Sequence, residues 1–247
     1  MDYYKDLYNK VGKRIGWDFS HIKKLEEGKS WNFFQEVTKK MKRGDVLLDI
    51  GTGGGEKILG VANKAKFIYG IDHSRSMVTT ARRNLKKSGY KNFKFLLMNS
   101  SKLEFPDNFF DVVTDRHCSF TATEVYRVLK NGGYFLTQQV SEGDQLNVKI
   151  AFRRGQAYGI KDGTLKEKYL SELEKVGFKN IDSFDYSSRI YYKMDNDYIF
   201  VLRFTPTIPM FGKEKKDFEI LREFIQKNRT KKGIETNSKR FIIIAQK

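Results

Sequence analysis

From Val46 onward, short apolar runs alternate with stretches whose apolar residues recur at helical spacing. The runs cover 46–50, 67–71, 93–98, 111–114 and 134–140. They are nearly continuous in apolar character instead of strictly alternating, as strands covered on both faces are. The pattern predicts a parallel sheet with helices on both sides. Ser74 caps a helix through Lys87 that stops at Gly89, and a helix over 121–129 stops at Asn131-Gly132-Gly133. Thr164-Leu165-Lys166-Glu167 reads as a capping box opening a helix that ends at Gly177. A strand over 180–192 follows, and 241–245 closes the chain as the last strand.

Two regions fall outside this alternation. Residues 1–45 read as an N-terminal helical lid of one or two helices, with Tyr3, Tyr8 and Trp17 as its lid-forming aromatics. Residues 193–239 read as an insertion between the last two strands of a domain spanning 46–247. The insertion carries Pro206, Pro209 and an amphipathic run over 218–225.

Composition narrows the setting. In 247 residues, 39% are hydrophobic and 14% aromatic, enough for a substantial core, and three prolines argue against long disordered linkers. The one cysteine, Cys118, cannot form an intramolecular disulfide, which suits a reducing compartment. The first residues have no apolar signal-peptide core, and no run approaches a membrane span. A cytoplasmic protein is expected. The formal net charge is +17, which raises nucleic acid as a partner. Lysines outnumber arginines 33 to 14, however, and arginine is the residue that forks onto phosphate. His21, His73 and His117 lack metal-ligand spacing with carboxylates or thiols, so no metal is expected.

The strongest chemical signal is Asp49-Ile50-Gly51-Thr52-Gly53-Gly54-Gly55, at the end of the first long strand and opening a helix. A dinucleotide site requires Gly-x-Gly-x-x-Gly so that a pyrophosphate sits on the helix N-terminus. Counted from Gly51, the third glycine would be Glu56, whose charge opposes a pyrophosphate. The pattern that fits is Asp-x-Gly-x-Gly-x-Gly, whose ligand brings an amino-acid moiety. Asp72 ends the next strand about twenty residues on, where an acid bonds the ribose hydroxyls of an adenosine.

With 70–74, 103–111 and 125–133, this segment resembles the successive motifs of class I S-adenosylmethionine-dependent methyltransferases over residues 45–140. Arg116-His117, 135–140, Gly16-Trp17-Asp18-Phe19 and Arg240-Phe241 are similar to a bacterial subgroup of unassigned substrate. The resemblance implies a Rossmann-like, mostly parallel seven-stranded sheet with its last strand antiparallel, and S-adenosylmethionine as cofactor. It implies that Gly51, Thr52 and Gly53 pack against the methionine portion, with Asp49 bracing the loop. Asp72 would bind the ribose, His73 and Met77 would flank the adenine, Asn99 would contact the adenine amino group, and Ser100 would offer its amide to the ring.

The strand ending at Asp115 delivers Arg116, His117 and Cys118 to the carboxyl edge of the sheet, where open α/β folds bind ligands. His117 is the candidate general base, because imidazole titrates near neutrality, and Arg116 is expected beside the cofactor. No proline neighbours Cys118, which argues against the covalent route of cytosine-C5 enzymes. The expected activity is methyl transfer to a small organic acceptor. The alternatives are an RNA acceptor and a non-catalytic module that only binds the cofactor.

Overall fold

The computed structural model describes all residues except Met1, Asp2, Ile15 and Trp17, and gives side-chain surroundings from Asp6 onward. Trp17 therefore lies outside the described residues, as do the side-chain surroundings of Tyr3. In chain order the elements are α1 (Tyr3–Arg14), β1 (Lys24–Glu27), α2 (Phe33–Lys40), β2 (Val46–Ile50), a 3-10 helix (Ile58–Lys64), β3 (Phe67–Asp72), α3 (Arg75–Ser88), β4 (Phe93–Leu97), β5 (Phe110–Arg116), α4 (Ala122–Val128), β6 (Leu129–Val140), α5 (Leu146–Phe152), α6 (Thr164–Val176), β7 (Lys179–Tyr192), α7 (Asp195–Phe204), α8 (Lys215–Asn228), β8 (Arg229–Thr230) and β9 (Gly233–Gln246).

The sheet runs β1-β7-β9-β6-β5-β2-β3-β4, with β8 paired to β9 alone. The β2, β3, β4, β5 and β6 ladders are parallel, while β9 lies antiparallel between β6 and β7. The seven expected strands are present in a Rossmann-like order, but among the described residues the sheet has nine, because β1 and β8 add to it. β1 comes from the N-terminal region that was read as helical only. Its sequence Lys-Leu-Glu-Glu has no run long enough to mark a strand, and pairing with β7 creates it. Two other expectations also change. The segment between the last two long strands closes at Gly233, so it spans 193–232. The glycine run opens a 3-10 helix instead of an α-helix, and Gly60, a residue that disfavours the α form, lies inside it.

Layers form on both sides of the sheet. On one face, α4 and α6 enclose Leu48, Val113, Phe135 and Ile243. On the other, α2, the 3-10 helix and α3 cover Leu47, Ile68, Leu136 and Ile242. Ser74 caps α3 through its side chain, accepting from the Met77 amide, and Gly89 ends it in the left-handed region. The capping box expected at Thr164 does not form. Gly163 is the N-cap, and the Thr164 hydroxyl donates to the Lys161 carbonyl at 2.7 Å. Glu142 caps the helix from a distant loop, accepting from the Gly163 amide at 2.9 Å and the Leu165 amide at 2.7 Å.

Beyond the register pair Tyr186↔Arg240, β7 and β9 continue together to Tyr192↔Ile234. Six residues of extension carry this ribbon roughly 20 Å past the end of β6. A separate core forms against it from Val148, Phe152, Tyr198, Leu202, Leu221 and Phe224. A further cluster of Leu7, Val11, Met77 and Phe204 fastens α1 to α3 and α7. Both clusters stand over the carboxyl edge of the parallel strands.

Candidate functional site

The glycine loop is held open by contacts that leave no room for side chains. Gly51 has φ +67°, and a Cβ there would lie 2.5 Å from the Cys118 Cβ. Gly51 is thus required twice, once by backbone conformation and once by the chain leaving β5. The Thr52 amide donates to the Ile71 carbonyl at 2.9 Å, and the Gly53 amide donates to Asp72 Oδ2 at 3.0 Å. The other Asp72 oxygen accepts from the Ser74 amide at 2.8 Å. Asp72 therefore ties the loop to the N-terminus of α3 while keeping lone pairs for a ligand. Burial raises its pKa, opposed by those two amides and by His73, whose Nδ1 lies 3.8 Å away.

Two more carboxylates crowd this edge. Asp49 is buried and accepts from the Thr114 hydroxyl at 2.7 Å. Burial, only partly offset by that bond, pushes it up to about 6. Asp115 is fully buried, with Thr137 Oγ1 at 3.1 Å and Gln139 Nε2 at 2.6 Å on one oxygen. Its second oxygen and Thr52 Oγ1 have no partner among the described residues, and burial lifts its pKa well above the ordinary range. Three acids thus meet at the ends of β2, β3 and β5, where burial favours the neutral form of each, most strongly at Asp115. Burial and the neighbouring Asp115, Asp72 and Asp49 also raise the Cys118 thiol well above its ordinary value. A thiolate nucleophile is disfavoured there.

On the far side of β5, a polar chain crosses to the N-terminal region. Trp31 Nε1 donates to Gln138 Oε1 at 3.0 Å, and Gln138 Nε2 lies 3.1 Å from His117 Nε2. An indole can only donate, so Gln138 presents its oxygen to Trp31 and its amino group to His117. His117 Nε2 is then the acceptor, and the proton sits on Nδ1. Burial, with the Arg116 and Arg240 guanidiniums, holds the imidazole well below its ordinary pKa. The residue adopts φ +61°, and its amide donates to the Gln138 carbonyl at 2.9 Å. Trp31 also meets the Tyr186 ring edge-on at 4.6 Å.

Asp49, Gly51, Thr52, Gly53 and Asp72 thus converge on one cradle, with Cys118 against it. His73 is exposed beside it, edge-on to Tyr8 at 5.9 Å. Met77, expected against the adenine, is buried under α1 instead. Asn99 is exposed, its side-chain oxygen accepting from the Ser101 amide at 3.0 Å, with half-buried Ser100 between. Arg116 is half-buried, and its guanidinium has no hydrogen-bond or ion-pair partner among the described residues. Asp115, Gln138, Gln139 and Trp31 were not singled out from the sequence. Two glutamines inside the apolar run 134–140 were the available signal, since buried amides need partners. Among the described residues no group of three or more His, Cys, Asp or Glu side chains could hold a metal.

The cradle suits S-adenosylmethionine on its own chemistry. Buried acids complement a ligand bearing a sulfonium and an ammonium, Asp72 can accept from ribose hydroxyls, and the glycines leave space where a Cβ would intrude. Residues 41–177, more than half of the chain, match the family model described as Methyltransferase domain. The demethylmenaquinone methyltransferase of Symbiobacterium thermophilum is 30% identical over 162 residues, covering 61% of this chain and 64% of the relative. The chain thus spans less than two thirds of that relative's length. The structure of the [4+2]-cyclase SpnF superposes with a TM-score of 0.64 at 18% identity, covering 99% of this chain and 95% of that one. The Haemonchus contortus phosphoethanolamine N-methyltransferase 2 in complex with S-adenosylmethionine gives 0.57 at 19% identity, covering 97% and 60%. At such identity these two structures show a shared fold alone. The match of residues 41–177, which contains the whole cradle, decides the family: this chain belongs to the methyltransferase domain family.

Proposed function

We propose that the protein transfers a methyl group from S-adenosylmethionine to a small organic acceptor. The observation that carries this reading is the cradle itself, in which Asp49, Asp72 and Asp115 gather at the ends of three adjacent strands around Gly51–Gly55, and a Cβ on Gly51 would strike Cys118. When bound, the cofactor supplies an electrophilic methyl group on sulfur. Asp72 would hold the ribose, Gly51 to Gly53 the methionine portion, and Asp49 would brace the loop through Thr114. His73, Asn99 and Ser100 would contact the adenosine, and Arg116, at the end of β5, would lie beside the cofactor.

The roof favours a small acceptor. The α1 cluster and the separate core on the β7–β9 ribbon cover the carboxyl edge, which suits a compact molecule better than structured RNA. The name of the Symbiobacterium relative, a demethylmenaquinone methyltransferase, agrees with that class.

His117 serves better as a positioning group than as a base. Its Nε2 lone pair already faces the Gln138 amino group, and its low basicity leaves little drive for proton abstraction. Rate then comes mainly from holding the acceptor in line with the methyl group. The test is transfer of labelled methyl from S-adenosylmethionine into fractionated cell extract. Label in metabolite-sized compounds is expected. Label in RNA alone would replace the acceptor class, and binding without transfer to any fraction would leave a cofactor-binding module.

A further inference from the structure

The net charge is unevenly distributed. Residues 57–102 hold eleven of the 47 cationic side chains and one of the 30 acidic ones, Asp72, which is buried in the cofactor cradle. The eleven are Lys and Arg residues of the 3-10 helix, α3, β4 and the loops around them, and every one is exposed. Among the described residues none of them forms an ion pair with an acid. Elsewhere the surface is laced with such pairs, for example Lys130–Asp111, Lys166–Asp185 and Lys232–Glu27.

The fold gathers these charges onto one side. On α3, Arg75, Arg82, Arg83 and Lys86 fall on the face opposite the buried Met77, Val78 and Ala81. Lys57 and Lys102 extend the field at the carboxyl edge. Lys64, Lys66, Lys91 and Lys94 extend it at the opposite edge, where β3 and β4 begin. β4 borders the sheet, so no further strand screens the field. Edge lysines that deter strand pairing would account for Lys94 but not for the outer face of α3.

We propose that this block docks the protein on an anionic lipid bilayer. Eight of the eleven cations are lysines, point charges on flexible stems that suit a diffuse layer of headgroups. Of the three arginines, Arg82 is committed to the Phe95 carbonyl through Nε and Nη2 at 3.1 and 2.8 Å. The block's Phe and Tyr rings are all buried or half-buried, whereas a single-strand binding surface presents exposed aromatics on which bases stack. Leu97, 46% exposed on the edge strand, adds an apolar contact. These features favour a lipid surface over a nucleic acid.

The experiment is co-sedimentation of the full chain with phosphatidylcholine vesicles, with and without about 30% phosphatidylglycerol, at about 0.1 M salt. Partitioning should be at least about tenfold stronger on the anionic vesicles and should collapse in high salt. Lys86→Glu, Lys87→Glu, Lys91→Glu and Lys94→Glu together should abolish it. Lys→Gln at the same positions should weaken it without charge reversal, with circular dichroism reporting the fold of both. An equal-charge control at exposed Lys213, Lys215, Lys216 and Lys227 should stay within about twofold of the parent. Equal binding to neutral vesicles, or equal loss in the control, would overturn the proposal. Tighter binding to RNA with the same dependence on the block would replace the bilayer with a nucleic acid.

Discussion

Single residues of the cradle carry forces that can be separated by substitution. At Gly51 a methyl group meets both a left-handed backbone and the Cys118 Cβ at 2.5 Å. Gly51→Ala should weaken S-adenosylhomocysteine binding by about tenfold or more. Cys118→Gly in the same chain should restore part of it, because only the steric component is relieved. Calorimetry on the two variants checks this, and no recovery would mean that backbone strain alone decides. Asp49 makes a different prediction. Burial raises it to about 6 in the folded chain, against about 3.8 when exposed. Its stabilising contribution is therefore complete below the exposed value and is lost as pH rises through 6. A shift of about two units corresponds to about 3 kcal/mol, so Asp49→Asn should gain that much relative to the parent between pH 4 and pH 7. The same ionisation should favour a sulfonium, so the affinity ratio of S-adenosylmethionine to S-adenosylhomocysteine should rise between pH 5 and pH 7.5. A flat ratio would remove Asp49 from the cofactor's charge environment.

Elements show where local sequence decides and where tertiary contact overrides it. The ends of α3 were legible because Ser74 and Gly89 act within their own helix. At α6 the local signal misleads, since Glu142 caps a helix more than twenty residues away. Glu142→Ala should cost about 1–2 kcal/mol of stability, while Thr164→Ala should stay within about 0.5 kcal/mol. Thermal unfolding of the pair measures the difference, and a larger loss at Thr164 would restore the capping box. β1 was illegible for a related reason, as a strand made by its partner leaves no period of its own. The cradle was readable because glycines and strand-end acids carry their meaning at fixed spacing. The Trp31–Gln138–His117 chain was not, since it joins residues 107 and 21 positions apart in sequence.

At the scale of the whole molecule, the parallel strands supply the cradle, and α1 and the core on the β7–β9 ribbon roof it. Gly12 shows how closely the roof is fitted, for a Cβ there would lie 2.5 Å from Ser76 Oγ and 2.9 Å from the Met77 amide nitrogen. A fold of this kind hosts more than one chemistry, as the likeness to a [4+2]-cyclase illustrates. The central claim therefore rests on the ligand that the cradle accepts. The direct measurement is calorimetric titration of the parent and Asp72→Ala with S-adenosylhomocysteine, with NAD as the competing ligand. Charge-assisted hydrogen bonds contribute about 1.5–3 kcal/mol, so Asp72→Ala should bind roughly ten- to a hundredfold more weakly with its fold intact. The parent should bind S-adenosylhomocysteine and ignore NAD. Unchanged affinity in Asp72→Ala, or tighter binding of NAD than of S-adenosylhomocysteine, would contradict the account.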